Sequence, residues 1–189
     1  MLPPHAPPSF SDRSTLWNSV EQTEKSNNSQ LAREIELALP VELSREEQTR
    51  LVREYCSSQF VSKGMCADFN IHDTGSGNPH AHILLTMRPL DEKGAWAAKS
   101  KKEYVLDESG EKILLPSGRY KTRKIDLMDW NRQENADLWR KAWADMANDF
   151  LEQNGSAERI DHRSNAERGI DEIPTVHMGV AACQMEKKG

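Results

Sequence analysis

The chain has 189 residues, 37% of them hydrophobic and 29% charged, which suits one soluble domain with a sizeable core. Its formal charge of −5 argues against a protein that coats nucleic acid by bulk charge. No stretch approaches the roughly 18 consecutive apolar residues that crossing a bilayer requires, and the proline-rich start from Met1 to Phe10 lacks the cationic and apolar runs of a secretory signal, so a cytoplasmic protein without a membrane partner is expected.

Asp12 is an N-cap candidate for a first helix through about Lys25, with Leu16, Trp17 and Val20 at helical spacing. From Leu31 the period changes to two: Ile35, Leu37 and Leu39 face one way, Glu34 and Glu36 the other, until Pro40. Ser44 to Glu47 is a capping box, and Leu51, Val52, Tyr55, Phe60 and Val61 predict an amphipathic helix to about Ser62. Met65 to His72 and His80 to Met87 then read as adjacent antiparallel strands around the turn-rich segment Asp73 to Pro79.

Between Lys99 and Lys124 stand eight basic residues against four acids, a stretch able to track a phosphate backbone or simply to be a solvated loop. Tyr104-Val105-Leu106 and Ile113-Leu114-Leu115 predict a hairpin inside it, so residues 91–125 are expected to form a basic excursion from the domain. Asp126 or Asp129 is expected to open the longest helix, whose stripe runs through Trp130, Leu138, Trp139, Ala142, Trp143, Met146 and Phe150 to Asn154-Gly155. A short extended piece at Arg159-Ile160-Asp161 and a small helix after Gly179 complete the reading. Without a regular βαβ alternation, the order predicts an α+β fold, an antiparallel sheet covered by helices.

His72, His80 and His82 are the strongest chemical signal. Strand alternation puts His80 and His82 on one face, and the preceding strand brings His72 beside them. An isolated His-x-His also fits packing or adventitious binding, but three imidazoles with positions left open are the arrangement of a catalytic metal site. Glu34 and Glu36 are candidates to orient an imidazole or hold a water, or are simply solvent-exposed. Asp73 fits such a partner or a turn residue. Cys56, Cys66 and Cys183, in no CxxC spacing, suggest neither a disulfide framework nor a thiolate zinc site.

The runs Leu31 to Pro40, Phe60 to Asp68, Ile71-His72-Asp73 and Asn78 to Arg88 closely resemble the MobA/MobL family of relaxases. Asp129-Trp130-Asn131, Leu138-Trp139-Arg140, Ile160 to Ser164 and Pro174 to Gly179 resemble its later blocks, so the likeness spans nearly the whole chain, residues 1–189 read as one nicking domain. The resemblance implies an HUH-type endonuclease that nicks and rejoins single-stranded DNA at a plasmid transfer origin, with accessory relaxosome proteins as further partners. Carried over, the ligands are His72, His80 and His82, and the cofactor is a divalent ion, Mn²⁺ or Mg²⁺, with Zn²⁺, Co²⁺ or Ni²⁺ also acceptable to such donors.

The DNA contacts expected are Lys99, Lys101, Lys102, Arg119, Lys121, Arg123 and Lys124, with Arg88 at the end of the histidine strand either on phosphate or at the surface. His162 and His177 fall in family-like blocks and are read as packing or DNA-proximal loop residues.

In the family the nucleophile is a tyrosine on an N-terminal strand and helix, upstream of what Met1-Leu2-Pro3-Pro4 resembles. Tyr55, Tyr104 and Tyr120 do not map onto it, so the expectation is a domain truncated at that side. Two alternatives follow: a remnant that binds metal and single-stranded DNA without cutting, and a metal phosphodiesterase that activates water.

Overall fold

The alternation of Ala32–Ala38 gives strand β1, with Arg33, Ile35 and Leu37 partly buried and Glu34, Glu36 and Ala38 exposed. In the computed structural model, which describes residues 1–73, 75 and 77–172, β1 joins β2 (Ala67–His72) and β3 (His80–Thr86) in an antiparallel sheet ordered β1-β3-β2. β4 (Ser100–Tyr104) and β5 (Thr122–Asp126) form a separate two-stranded ribbon. The helices are α1 (Arg13–Thr23), α2 (Arg45–Gln59) and α3 (Glu134–Gln153). This is the α+β architecture expected, and no helix among the described residues is long and apolar enough to cross a membrane.

Register decides the faces. Glu36 lies opposite His82, Ala38 opposite His80, and on the other side His72 and Asn70 lie opposite His80 and His82. Directly paired residues share a face, so the histidines and glutamates stand on one side, while Ile35, Leu37, Ala81, Ile83, Leu85, Phe69 and Ile71 face the core. α2 and α3 cover that core face. Tyr55 meets Phe60 and Trp143 edge-on, at 5.3 and 5.1 Å between centroids, and its hydroxyl donates to the Trp139 carbonyl at 2.9 Å. The Ser44–Glu47 capping box sets the start of α2, and Gln48, buried beside it, donates to the Pro40 carbonyl. α1 meets the sheet through Asp68 of β2, which accepts from Arg13 Nε at 2.7 Å and Trp17 Nε1 at 3.0 Å.

Several boundaries differ from expectation. α2 stops at Gln59, because Phe60 leaves the helical region and plugs the core, and a short 3-10 turn (Val61–Lys63) leads to Gly64 at φ +93°. Asp126 ends β5, and α3 begins only at Glu134. Trp130 is buried ahead of the helix, and Asn135 closes the approach by donating to the Asp129 carbonyl. Leu138 leaves the apolar stripe and is 58% exposed, one residue round the helix from the buried Trp139.

The excursion is a ribbon, but its paired strands are the charged runs. Tyr104 ends β4, whereas Leu106 and Leu114 make only isolated bridges to Lys112 and Tyr120. Tight turns at Asp107–Gly110 and Leu115–Gly118 fold these apolar triplets back too soon to extend them. Arg159-Ile160-Asp161 forms no strand; Asn148 clamps the Ile160 backbone from both sides, at 2.7 and 2.9 Å. The helix expected after Gly179, His177 and Cys183 lie outside the described residues.

Candidate metal centre

β2 and β3 deliver His72, His80 and His82 to the open end of one sheet face, with centroid separations of 4.8 to 5.4 Å between rings. One ligand nitrogen from each falls within 4.8 Å of the others. His82 Nδ1 sits 2.8 Å from Glu34 Oε1, and His80 Nδ1 sits 2.9 Å from the Asn78 carbonyl. A carbonyl and a carboxylate can only accept, so in the neutral rings the proton belongs on Nδ1 and the Nε2 lone pair is left free. Two imidazoles held in the ligating tautomer beside a third fit a divalent cation in the chemistry of their donors. Glu34, rather than Glu36, touches the imidazole; Glu36 lies across from His82 on the same exposed face. Asp73 takes the turn role, accepting from the Gly75 amide at 2.9 Å.

The expected DNA-contacting cations divide into two groups. Lys101, Lys102, Arg119, Lys121, Arg123 and Lys124 are exposed on the ribbon. Arg123 pairs with Glu103 at 3.1 Å, and Lys124 pairs with Asp126 at 2.7 Å. Arg88 and Lys99, by contrast, converge on Glu24 at 2.9 and 2.7 Å, and the Glu24 side chain is only 4% exposed. Burial would push that carboxyl up, but hydrogen bonds and charge from Arg88 and Lys99 outweigh it and bring it down to about 2. Arg88 also donates to the Ala97 carbonyl and Lys99 to that of Gln30. These two cations thus tie the end of β3 and the root of the ribbon to the C-terminus of α1.

Sequence reading missed Glu24, because a carboxylate in a polar helix end carries no periodic signal. It also missed the cluster on the ribbon, where Lys112 Nζ lies 4.2 Å from the Tyr104 centroid and 5.6 Å from that of Tyr120. Tyr55 is buried, and burial raises its phenol further from ionisation. Tyr104 and Tyr120 are on the ribbon, in a sheet apart from the histidines. Burial pushes the Cys56 and Cys66 thiols up to about 12 and about 11, so both stay protonated and unreactive near neutrality. His162 is exposed and borders a cavity of about 510 Å³ beside β1.

Residues 1–188 match the model of the MobA/MobL family. The chain is 36% identical over 205 residues to the probable mobilization protein MobA of Bifidobacterium longum, covering all of this chain and 36% of that protein. It is 39% identical over 174 residues to the conjugal transfer protein TraA of Agrobacterium fabrum, covering 92% of this chain and 15% of that one. The chain therefore spans about a third or less of these two relatives. A structure solved under the heading "Molecular Basis of Vancomycin Resistance Transfer in Staphylococcus aureus" superposes with a TM-score of 0.70 at 35% identity, over 87% of this chain and 73% of that one.

Proposed function

The chain belongs to the MobA/MobL family, and from that footing we propose that it serves plasmid mobilisation by metal-dependent nicking and rejoining of single-stranded DNA at a transfer origin. The observation that carries the reading is the triad: His72, His80 and His82 converge, with Glu34 and the Asn78 carbonyl fixing the rings that would bind metal. A divalent ion held by these three residues would neutralise charge developing on the scissile phosphate. Glu34 keeps His82 in the ligating tautomer and strengthens it as a donor. The ribbon cations Lys101, Lys102, Arg119, Lys121, Arg123 and Lys124 hold the DNA backbone, and accessory relaxosome proteins complete the assembly. Mn²⁺ or Mg²⁺ is the ion proposed.

A second reading rests on the placement of the tyrosines. With Tyr55 buried and Tyr104 and Tyr120 on the ribbon, none of the three stands at the triad among the described residues. This favours a domain that binds metal and single-stranded DNA without cutting it. One experiment separates the readings. The purified chain is incubated with end-labelled single-stranded transfer-origin oligonucleotides and Mn²⁺, then resolved on denaturing and native gels. Chelator-sensitive cleavage with a protein–DNA adduct supports nicking, and a mobility shift without cleavage supports binding alone. Repeated hydrolysis without an adduct would mean water is the nucleophile, and neither shift nor cleavage would defeat both readings.

A further inference from the structure

We propose that the base of the ribbon is a positioning device. Two separate lines of contact fix the direction of the β4–β5 arm relative to the metal-bearing strands, and thereby the spacing along bound DNA between the segment the arm holds and the phosphate at the metal. The proposal rests on the reading above, which gives the metal centre and the ribbon cations their DNA contacts. β4 and β5 pair with each other and with no strand of the histidine sheet, so the arm takes its direction from where it joins the body. That junction is Lys99, immediately before β4, whose carbonyl accepts from the Leu127 amide just past β5 at 2.9 Å. One residue therefore carries the root of both strands.

The first line of contact runs from Lys99 to the strand of His80 and His82. Lys99 Nζ reaches Glu24 Oε1 at 2.7 Å and also donates to the Gln30 carbonyl; the same buried oxygen meets Arg88 Nε at 2.9 Å, two residues past the end of β3. The second line runs through Trp96 to the strand of His72. The Trp96 ring stacks on Phe10 at 5.4 Å between centroids, and its indole N–H donates to Ser19 Oγ of α1 at 2.7 Å. α1 is fastened in turn, by Arg13 and Trp17, to Asp68, which shares a face of β2 with His72. Gly94 permits the close approach of this root to the N-terminal segment: its φ is +78°, and a Cβ there would meet the His5 carbonyl oxygen at 2.8 Å. An arm held at one point could swing; these two lines end on different metal-bearing strands and leave it one direction. Two contacts on one DNA strand reinforce each other only at a spacing that satisfies both, and a loosened arm would spread that gain over many spacings.

The test uses the full chain with Cys183→Ser, nitroxide-labelled at Glu108→Cys on the arm and Arg53→Cys on α2, both exposed positions. Pulsed electron paramagnetic resonance should give one narrow distance, and the double variant Lys99→Gln/Ser19→Ala, checked for folding by circular dichroism, a broader distribution. With Mn²⁺, and without the labels, affinity for oligothymidylates of increasing length should rise in one step of about 100-fold at the length that spans arm and metal, and chelation should abolish the step. In the double variant the step should shrink about tenfold and spread over several lengths, with Mn²⁺ affinity unchanged; Ser19→Ala alone should show the same changes to a lesser degree. Lys121→Gln, which removes an exposed arm cation, should lower affinity while keeping the step at its length. A gradual rise in the parent, an unchanged distance distribution or step in the folded variants, or equal spreading by Lys121→Gln overturns the proposal alone. A parent that binds no oligothymidylate overturns the reading beneath it as well.

Discussion

Glu24→Gln should destabilise the protein in a way that depends on pH. The Glu24 side chain is 4% exposed and meets Arg88 Nε at 2.9 Å and Lys99 Nζ at 2.7 Å. The two cations hold its carboxyl at about 2 against an ordinary 4.5. At about 1.4 kcal/mol per tenfold change in proton affinity, that difference corresponds to about 3 kcal/mol. Because the folded value is the lower one, this stability is fully present above about pH 5 and is lost as pH falls toward 2. About 2 kcal/mol of it should be gone by pH 3. Glutamine at position 24 keeps the shape and one acceptor but leaves two largely covered cations without a counter-charge, so a loss of about 2–3 kcal/mol is expected at pH 7. Urea unfolding of both proteins at pH 7 and pH 3 measures the gap. It should narrow to about 1 kcal/mol at pH 3. A gap equal at both pH values, or below about 1 kcal/mol at pH 7, would refute the assignment of Glu24 as a buried, ionised clamp.

Three further outcomes are expected. Glu34→Ala should weaken divalent-ion binding about 10- to 100-fold by freeing His82 Nδ1, while Glu36→Ala changes it far less; titration calorimetry on both variants checks this. Tyr55→Phe removes a buried hydroxyl that donates to the Trp139 carbonyl and should cost about 1 kcal/mol in urea unfolding, with Mn²⁺ binding unchanged. Asp68→Ala removes the acceptor shared by Arg13 and Trp17; amide exchange in α1 should accelerate well before that in α2, and equal acceleration in both would contradict this tie.

What was legible in the sequence was local. The Glu34-Ile35-Glu36-Leu37 alternation, the Ser44–Glu47 box, Asp12 as an N-cap and the convergence of His72 with His80 and His82 all follow from spacings within one element or one hairpin. What could not be read was long-range. That β1 pairs with β3, and so delivers Glu34 to an imidazole 48 residues away, depends on sheet order, which no spacing encodes. Lys99 and Arg88 looked like free cations because their counter-charge, Glu24, lies 64 residues before Arg88. The start of α3 was misread because Trp130 supplies an apolar position that belongs to the loop ahead of the helix. The ribbon was misread because Leu106 and Leu114 suggest strands, while the strands that pair are carried by Lys101, Lys102, Arg123 and Lys124.

The central claim is that His72, His80 and His82 form one divalent-ion site. Titration calorimetry with Mn²⁺ on the parent chain and on His72→Ala, His80→Ala and His82→Ala, each checked for folding by circular dichroism, tests it directly. The account predicts one bound ion per chain and loss of that binding in each folded variant. Absence of binding by the parent, or folded variants that bind as the parent does, would contradict it.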